Sequence, residues 1–216
     1  MGHPLLAPYE LTWEDLRLAG LDAAFPPADL PLEVEIGCGD DDFLLRSAEQ
    51  RPGTRWLGIE YSHKRVRRQI RRIERLHAQP LSNVRFLWRP ARDVVRPFLA
   101  PGRVHAFHVY FPDPWPKAHH ARYRLLEPSF LADLAAALEP AGVVHFATDS
   151  RDYAEEVVTA LADVSGLVNT LPAPGWVTTP PAERTTVFEE RWRAEGRTIH
   201  AMRFNRAPGP AAPPGD

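Results

Sequence analysis

The sequence predicts an open α/β fold of the Rossmann-like type, with a mostly parallel seven-stranded sheet and helices on both faces. Three observations support this prediction. Short apolar runs alternate with helix-length segments, a glycine-containing turn follows the first apolar run, and 216 residues with 44% hydrophobic content suit one globular domain.

Five buried strands are predicted at residues 32–36, 56–59, 84–88, 104–111 and 143–147, because each is a short apolar run. Helices are expected from the first turn to about residue 50 and at 62–77, 91–99, 128–138 and 152–162. Two late strands at 167–171 and 199–204 complete the sheet. Prolines cluster at both ends, so we expect residues 1–31 to be an N-terminal extension, 32–206 the domain and 207–216 a disordered tail.

The composition excludes several classes of protein. No apolar run reaches the roughly 18 residues of a transmembrane helix, so we expect a cytoplasmic protein without a membrane partner. The single cysteine, Cys38, cannot form an intrachain disulfide or a cysteine-rich metal site, and we expect no metal centre.

The turn after the first predicted strand carries Glu35, Gly37 and Gly39, and Glu60 closes the second strand. Two glycines at such a junction let a ligand approach the backbone, and an acidic residue ending the next strand is placed to bind ribose hydroxyls. The pattern predicts a nucleoside-binding site.

The acidic residues of this turn favour a cationic nucleoside over one that carries a pyrophosphate. Glu35 and the aspartates Asp40, Asp41 and Asp42 surround the turn, where a pyrophosphate would be repelled. S-adenosylmethionine carries a sulfonium and an ammonium group and no phosphate, so it suits an acidic turn. The alternative is that the aspartates cap the following helix.

The segment at residues 111–117, after the fourth strand, holds Asp113 between two prolines, with Trp115 beside it. Ligands of open α/β sheets bind beyond the carboxyl ends of the strands, so we expect Asp113 to be held rigidly at the cofactor's reactive end. Trp115 could stack on a base. The alternative is a proline-stiffened loop with a buried tryptophan.

A local excess of positive charge lies within a chain of net charge −2. Residues 64–75 have a net charge of +6, which leaves the remainder at −8. Helical spacing puts one group of bases on one face and Val66, Ile70 and Ile73 on the other. The bases of that face are Lys64, Arg68, Arg71 and Arg75.

A second basic stretch follows Trp115 and consists of Lys117, His119, His120, Arg122 and Arg124. Nucleic-acid phosphates are the usual partners of such patches, so both stretches predict RNA binding. Solvated surface charge is the alternative.

The chain resembles the tRNA (guanine-N7)-methyltransferase family, whose members have the class I S-adenosylmethionine-dependent methyltransferase fold. The resemblance covers roughly residues 32–206. It rests on Glu35, Gly37, Gly39 and Glu60, on the segment 111–117, on Thr148 with Asp149, and on the segment 186–189. It implies methylation at N7 of a guanosine in the variable loop of tRNA.

The resemblance also implies roles for individual residues. Glu35, Gly37, Gly39, Glu60 and Asp113 would bind the cofactor, and Asp113 would be the catalytic residue. Substrate contacts would come from Lys117, Asp149, Thr186, Val187, Phe188 and Glu189. Thr148 and Asp149 could instead cap the next helix, and Glu189 could instead form a salt bridge with a nearby arginine.

The implied chemistry needs few groups. Guanine N7 has a lone pair and no proton to lose, so positioning suffices and no strong base is required. We therefore expect Asp113 to accept hydrogen bonds from the N1 and N2 edge of guanine.

The chain departs from the family pattern at Asp41, Pro90, Tyr110 and Trp192. Two alternatives stay open for this reason. One is a non-catalytic RNA-binding protein on a decayed methyltransferase fold, and the other is a methyltransferase acting on an exocyclic amine of another nucleic acid. The sequence is compatible with a monomer or a homodimer.

Overall fold

The computed structural model describes residues 9–25, 27–76, 80–115, 118–179 and 185–207. One eight-stranded sheet has the order β1-β4-β3-β2-β5-β6-β8-β7. The strands are β1 (Glu10–Leu11), β2 (Leu32–Ile36), β3 (Arg55–Glu60), β4 (Val84–Trp88), β5 (Val104–Tyr110), β6 (Leu138–Thr148), β7 (Leu167–Asn169) and β8 (His200–Arg206).

The first six strands pair in parallel, whereas β8 runs antiparallel to both β6 and β7. The helices are α1 (Trp13–Ala24), α2 (Phe43–Gln50), α3 (His63–Leu76), α4 (Val95–Phe98), α5 (Pro128–Ala137), α6 (Arg151–Leu161) and α7 (Val187–Ala194). The predicted fold class is confirmed, with one additional edge strand. No helix in the described ranges is long and apolar enough to cross a membrane.

Two hydrophobic cores cover the two faces of the sheet. Side chains of α1, α4, α5 and α6 pack in one core, and those of α2 and α3 pack in the other. Neighbouring residues of β3 point to opposite faces, so Leu57 enters the first core and Trp56 the second. In α3, Val66, Ile70 and Ile73 are buried against the sheet, as the spacing predicts.

Four elements of the described residues were not predicted from the sequence, namely β1, α1, the 3₁₀ helix Ala118–Tyr123 and α7. The two-residue β1 is too short to show a period, and Gly20 interrupts α1 with a φ of 72°. Helix α7 begins inside the segment interpreted above as a substrate contact. The helix expected at 91–99 is a 3₁₀ turn followed by the short α4. The tail expected at 207–216 lies, apart from Ala207, outside the described residues.

Arg55 joins the chain before β2 to the sheet. Its buried guanidinium donates to the carbonyl oxygens of Phe25, Ala28 and Leu30 at 3.1, 3.1 and 3.2 Å. It also pairs with Asp22 Oδ1 at 2.8 Å. Because one buried guanidinium holds three carbonyls of this connection, the arginine fixes the path from α1 into β2.

Replacing Arg55 by Met should lower the free energy of unfolding by about 3 kcal/mol, because three carbonyls and Asp22 lose a buried charged partner. Urea denaturation measures the change. Arg103 also pairs with Asp22, at 3.1 Å, but is half-exposed, so Arg103→Gln is the control and should cost less than about 1 kcal/mol. Equal losses in the two variants would contradict the assigned role of Arg55.

Candidate functional site

Two adjoining cavities lie at the carboxyl ends of β2, β3 and β5. Their volumes are about 610 and 170 Å³, and the larger lies in the range of small-molecule sites. Both are lined by Gly37, Arg65, Tyr110, Phe111 and Asp113, which therefore form a shared wall. Several residues singled out in the sequence thus meet in one cleft.

The turn between β2 and α2 requires glycine at two positions. Gly37 and Gly39 have φ angles of 76° and 50°, a region that other residues rarely adopt. The Gly37 amide donates to the carbonyl of Ile59 at 2.7 Å, which holds the turn against the end of β3.

Glu60 is buried and braces this turn. One carboxylate oxygen accepts the Gly39 amide at 3.0 Å, and the other accepts the Ser62 amide at 2.8 Å. Glu60 also lines the larger cavity. Because each carboxylate oxygen can accept more than one hydrogen bond, Glu60 retains capacity for hydroxyl groups placed there.

Glu35 lines the smaller cavity and is buried. Burial, together with the nearby carboxylates of Asp41 and Glu60, raises the pKa of Glu35 well above its usual value. A cation in this cavity would favour the charged form of Glu35. Burial likewise raises the pKa of the Cys38 thiol, so Cys38 is an unreactive core side chain.

Two of the three aspartates in the turn are paired with α3. Arg68 Nη1 lies 2.5 Å from Asp40 Oδ2, and Arg72 Nη2 lies 3.8 Å from Asp42 Oδ2. The turn is therefore less acidic than its sequence indicates, because these arginines offset much of the negative charge. Among the described residues, Glu35, Asp41 and Asp113 remain as the acidic groups of the smaller cavity without such an arginine partner.

Asp41 connects the turn to the C-terminal part of the chain. Its Oδ1 accepts the Phe43 amide at 2.9 Å, and its Oδ2 accepts the Phe188 amide at 3.3 Å. The alternative that the aspartates cap the following helix therefore holds for Asp41, which accepts the first amide of α2. It does not hold for Asp42, whose side chain makes no capping hydrogen bond although it occupies the N-cap position.

The start of α7 enters the cleft. Thr186 caps the helix by accepting the Glu189 amide at 3.1 Å, and both Thr186 and Phe188 line the smaller cavity. Trp192 packs edge-to-face on Phe111, with ring centroids 4.6 Å apart. This contact joins α7 to the segment after β5.

Three other expected substrate residues lie outside the described cavity walls. Val187 is largely exposed, and the buried Glu189 pairs with Arg193 at 2.7 Å, the salt bridge considered above as an alternative. Asp149 pairs with Arg197 at 2.7 Å. Asp149 does not cap α6, because Ser150 does. Lys117 lies outside the described residues.

Asp113 is exposed at the wall shared by the two cavities. The residues that flank this segment, Phe111 and Trp115, have φ angles of 51° and 43°. Trp115 lines the larger cavity beside Tyr123, with ring centroids 5.4 Å apart. The rigid placement expected from the prolines is therefore accompanied by a strained backbone.

A third cavity, of about 440 Å³, lies along α3 and is lined by Asp40, Arg68, Gln69, Arg71, Arg72 and Arg75. Arg71 and Arg75 form no ion pair with any described residue, whereas Arg68 and Arg72 do. The second basic stretch differs from expectation at Arg124, which is buried and bonded to protein groups. Arg122 is exposed.

Sequence reasoning missed several residues that line the cleft, and they fall into two groups. Tyr110 and Trp192 were noted as departures from a family pattern and were given no role. The others, Tyr61, Arg65, Arg89 and Arg92, line the larger cavity. Arg65 belongs to the basic run at residues 64–75, but the sequence did not predict that it lines the cleft. Arg89 and Arg92 line the larger cavity together with Glu60 because β4 lies beside β3, and the sequence does not reveal this strand order.

The sheet order and the cleft beyond its carboxyl ends are those of the class I methyltransferase fold. Similar solved structures include KamB, a 16S rRNA methyltransferase, at 18% identity and TM-score 0.59 over 88% of this chain and 95% of that one. A variant of the 16S rRNA (adenine(1408)-N(1))-methyltransferase from Catenulisporales acidiphilia has 16% identity and TM-score 0.58 over 85% and 88% of the two chains. At these identities the likeness concerns the fold.

Sequence relatives identify the family. Residues 29–202 match the family model described as putative methyltransferase. The chain is 39% identical to the tRNA (guanine-N(7)-)-methyltransferase of Bordetella pertussis over 82% of this chain and 68% of that one. It is 33% identical to the enzyme of the same name from Geobacter metallireducens, over 84% and 85%. The chain belongs to the tRNA (guanine-N(7)-)-methyltransferase family.

Proposed function

We propose that the protein transfers the methyl group of S-adenosylmethionine to N7 of a guanosine in the variable loop of tRNA. The observation that carries the proposal is Asp113 at the wall between a cavity with Glu35 and a cavity with Glu60. The names of the relatives support the reaction and the substrate class. Such a substrate would be met in the cytoplasm.

The residues present fit the cofactor. Glu60 would bind ribose hydroxyls in the larger cavity, and Glu35 would face the cationic amino-acid part in the smaller one. The raised pKa of Glu35 supports this orientation, because a cation bound beside Glu35 would stabilise its charged form against the neighbouring carboxylates. When bound, S-adenosylmethionine supplies a methyl group on a positively charged sulfur.

The reaction requires alignment more than proton transfer. The N7 lone pair forms a bond to the methyl carbon while the carbon–sulfur bond breaks and its electron pair returns to sulfur. No proton leaves, and the positive charge moves from sulfur to the purine. Asp113 would accept hydrogen bonds from the N1 and N2 edge of the guanine and so orient N7.

The α7 segment would complete the guanosine site. Thr186 and Phe188 line the smaller cavity, and Asp41 holds the amide of Phe188. The Asp41 carboxylate would thus couple the cofactor-binding turn to the substrate segment, which gives this departure from the family pattern a structural role.

The decisive assay measures transfer of labelled methyl from S-adenosylmethionine to unmodified tRNA, with nucleoside analysis of the product. We expect N7-methylguanosine, and no transfer to tRNA whose variable-loop guanosine is mutated. Label on adenine or cytosine would instead indicate an exocyclic amine as target. Binding of tRNA without transfer would indicate a non-catalytic protein.

Replacing Asp113 by Asn should lower kcat on the order of 100-fold, because an amide donor would then face the donor edge of guanine. The dissociation constant of S-adenosylmethionine should change less than in Glu60→Ala, where a cavity-lining brace is lost. Single-turnover kinetics and calorimetry measure the two quantities. An Asp113→Asn enzyme with full activity would contradict the role of Asp113.

Cofactor binding should release a proton from Glu35. Its pKa is raised in the free protein, so a bound cation lowers it, and affinity should rise with pH through a range above the usual titration of glutamate. Calorimetry in buffers of different ionisation enthalpy counts the protons. The release should vanish in Glu35→Gln. Because the pKa of Asp41 is also raised, Asp41→Asn is the control, and the release should persist in it if Glu35 supplies the proton. Release unchanged in Glu35→Gln would refute this assignment.

The arginine face of α3 is the best-supported candidate for contact with tRNA phosphates. Four arginines line one cavity there, and guanidinium groups match phosphate geometry well. Their availability differs, because Arg68 is held by Asp40 and Arg71 has no ion pair with a described residue. Arg71 should therefore contribute more to RNA binding than Arg68.

Arg71→Gln should weaken tRNA binding and reduce the slope of log affinity against log salt by about one. Arg68→Gln removes the same charge three residues earlier on the helix. It should change this slope less and weaken cofactor binding more, because Asp40 in the turn loses its partner. Filter binding across a salt series gives the slopes. Equal slope changes in the two variants would contradict the distinction.

A further inference from the structure

We infer that Arg124 is a positioning residue of the active site, which holds the segment of Asp113 in place through the backbone carbonyls of Pro114 and Trp115. This inference rests on the proposed function, because it assigns a role in the same reaction. It removes Arg124 from the set of residues that would contact tRNA phosphates.

The contacts of Arg124 are directed at the Asp113 segment. Its Nε donates to the carbonyl oxygen of Pro114 at 2.6 Å, and its Nη2 donates to that of Trp115 at 3.3 Å. Its Nη1 pairs with Glu156 of α6. Nε and Nη2 are thus hydrogen-bonded to this segment, Nη1 is held by an ion pair, and the residue is 7% exposed.

The Asp113 segment needs a donor from outside because it has few of its own. Pro112 and Pro114 have no amide hydrogen, so the segment cannot form the usual turn bonds. The last amide that joins it to the sheet is that of Phe111, which donates to Ala147 at 2.8 Å. From Phe111 to Trp115 the path passes through two residues of positive φ, a conformation that persists only when surrounding groups enforce it.

Arg124 is itself fixed by the core. Its guanidinium lies over the ring of Tyr153, 5.2 Å from the centroid. Tyr153 is fully buried in α6, and its hydroxyl accepts the Leu126 amide at 3.0 Å. Arg92 donates to the carbonyl of Arg124 at 3.0 Å. Through these contacts, Arg124 links the position of α6 to that of the loop that carries Asp113.

The neighbouring Arg122 has the opposite character. It is exposed and lies over the ring of the exposed Tyr123, at 5.0 Å from the centroid. An arginine on an exposed aromatic ring remains available to a phosphate, whereas Arg124 is buried and its Nε and Nη2 donate to protein carbonyls. Two arginines in one basic stretch thus have separable roles.

The test compares Arg124→Gln and Arg124→Lys with Arg122→Gln and with Arg96→Gln, a matched control on the exposed face of α4. The measured quantities are kcat at saturating tRNA, KM for tRNA and the salt slope of tRNA binding. Amide exchange of residues 111–115 is followed by mass spectrometry, and thermal unfolding reports global stability.

Arg124→Gln should lower kcat on the order of 100-fold with KM and the salt slope nearly unchanged, and should speed exchange at residues 111–115. Arg124→Lys keeps the positive charge, but a lysine cannot reproduce the pair of hydrogen bonds to the carbonyls of Pro114 and Trp115. The kcat of this variant should therefore fall as well. Arg122→Gln should reduce the salt slope by about one, and Arg96→Gln should change none of these quantities.

A reduced salt slope with unchanged kcat in Arg124→Gln would overturn the inference, as would full kcat in Arg124→Lys together with unchanged exchange. If Arg124→Gln does not fold, Arg124→Lys and Glu156→Gln carry the comparison. Absence of methyl transfer by the unaltered protein would refute the proposed function instead, and the exchange at residues 111–115 would still decide whether Arg124 holds the loop.

Discussion

Five carboxylates crowd around the ends of β2 and β3, and the cleft depends on how their mutual repulsion is offset. Glu60 is stabilised by two backbone amides, and Asp40 and Asp42 by arginines of α3. Asp41 accepts two further amides. Glu35 receives the least compensation, which its raised pKa records. The unbalanced charge is thereby concentrated where a cationic ligand would be bound.

The two loops of the cleft are stabilised in the same manner, by partners from distant parts of the chain. The glycine turn is braced by Glu60 of β3, and the Asp113 segment by Arg124 from beyond its own loop. Each loop has a backbone that its own residues cannot hold, because of positive φ or missing amide hydrogens. Such preorganisation spares the cost of ordering these groups when substrates bind.

The sequence predicted those strands and helix faces whose apolar pattern lies within a short stretch of chain. The strand at 32–36 is a continuous apolar run and was found with the same bounds, and the apolar stripe of α3 is buried as its spacing predicts. Whether a charged side chain is buried depends on distant parts of the chain. The sequence therefore could not distinguish the buried Arg124 from the exposed Arg122 in the same basic stretch. Nor could the sequence show that Asp40 and Asp42 face arginines, since that pairing needs α3 packed against the turn.

The sheet ends in very short strands on both sides. The outermost strands are β1, with two residues, and β7, with three. A row of unpaired amides and carbonyls invites another sheet to add on, and so short a row offers little template for such growth. β1 also covers part of β4, pairing with Phe86 and Leu87. This arrangement limits association of the protein through its backbone, and leaves side-chain surfaces to govern its contacts.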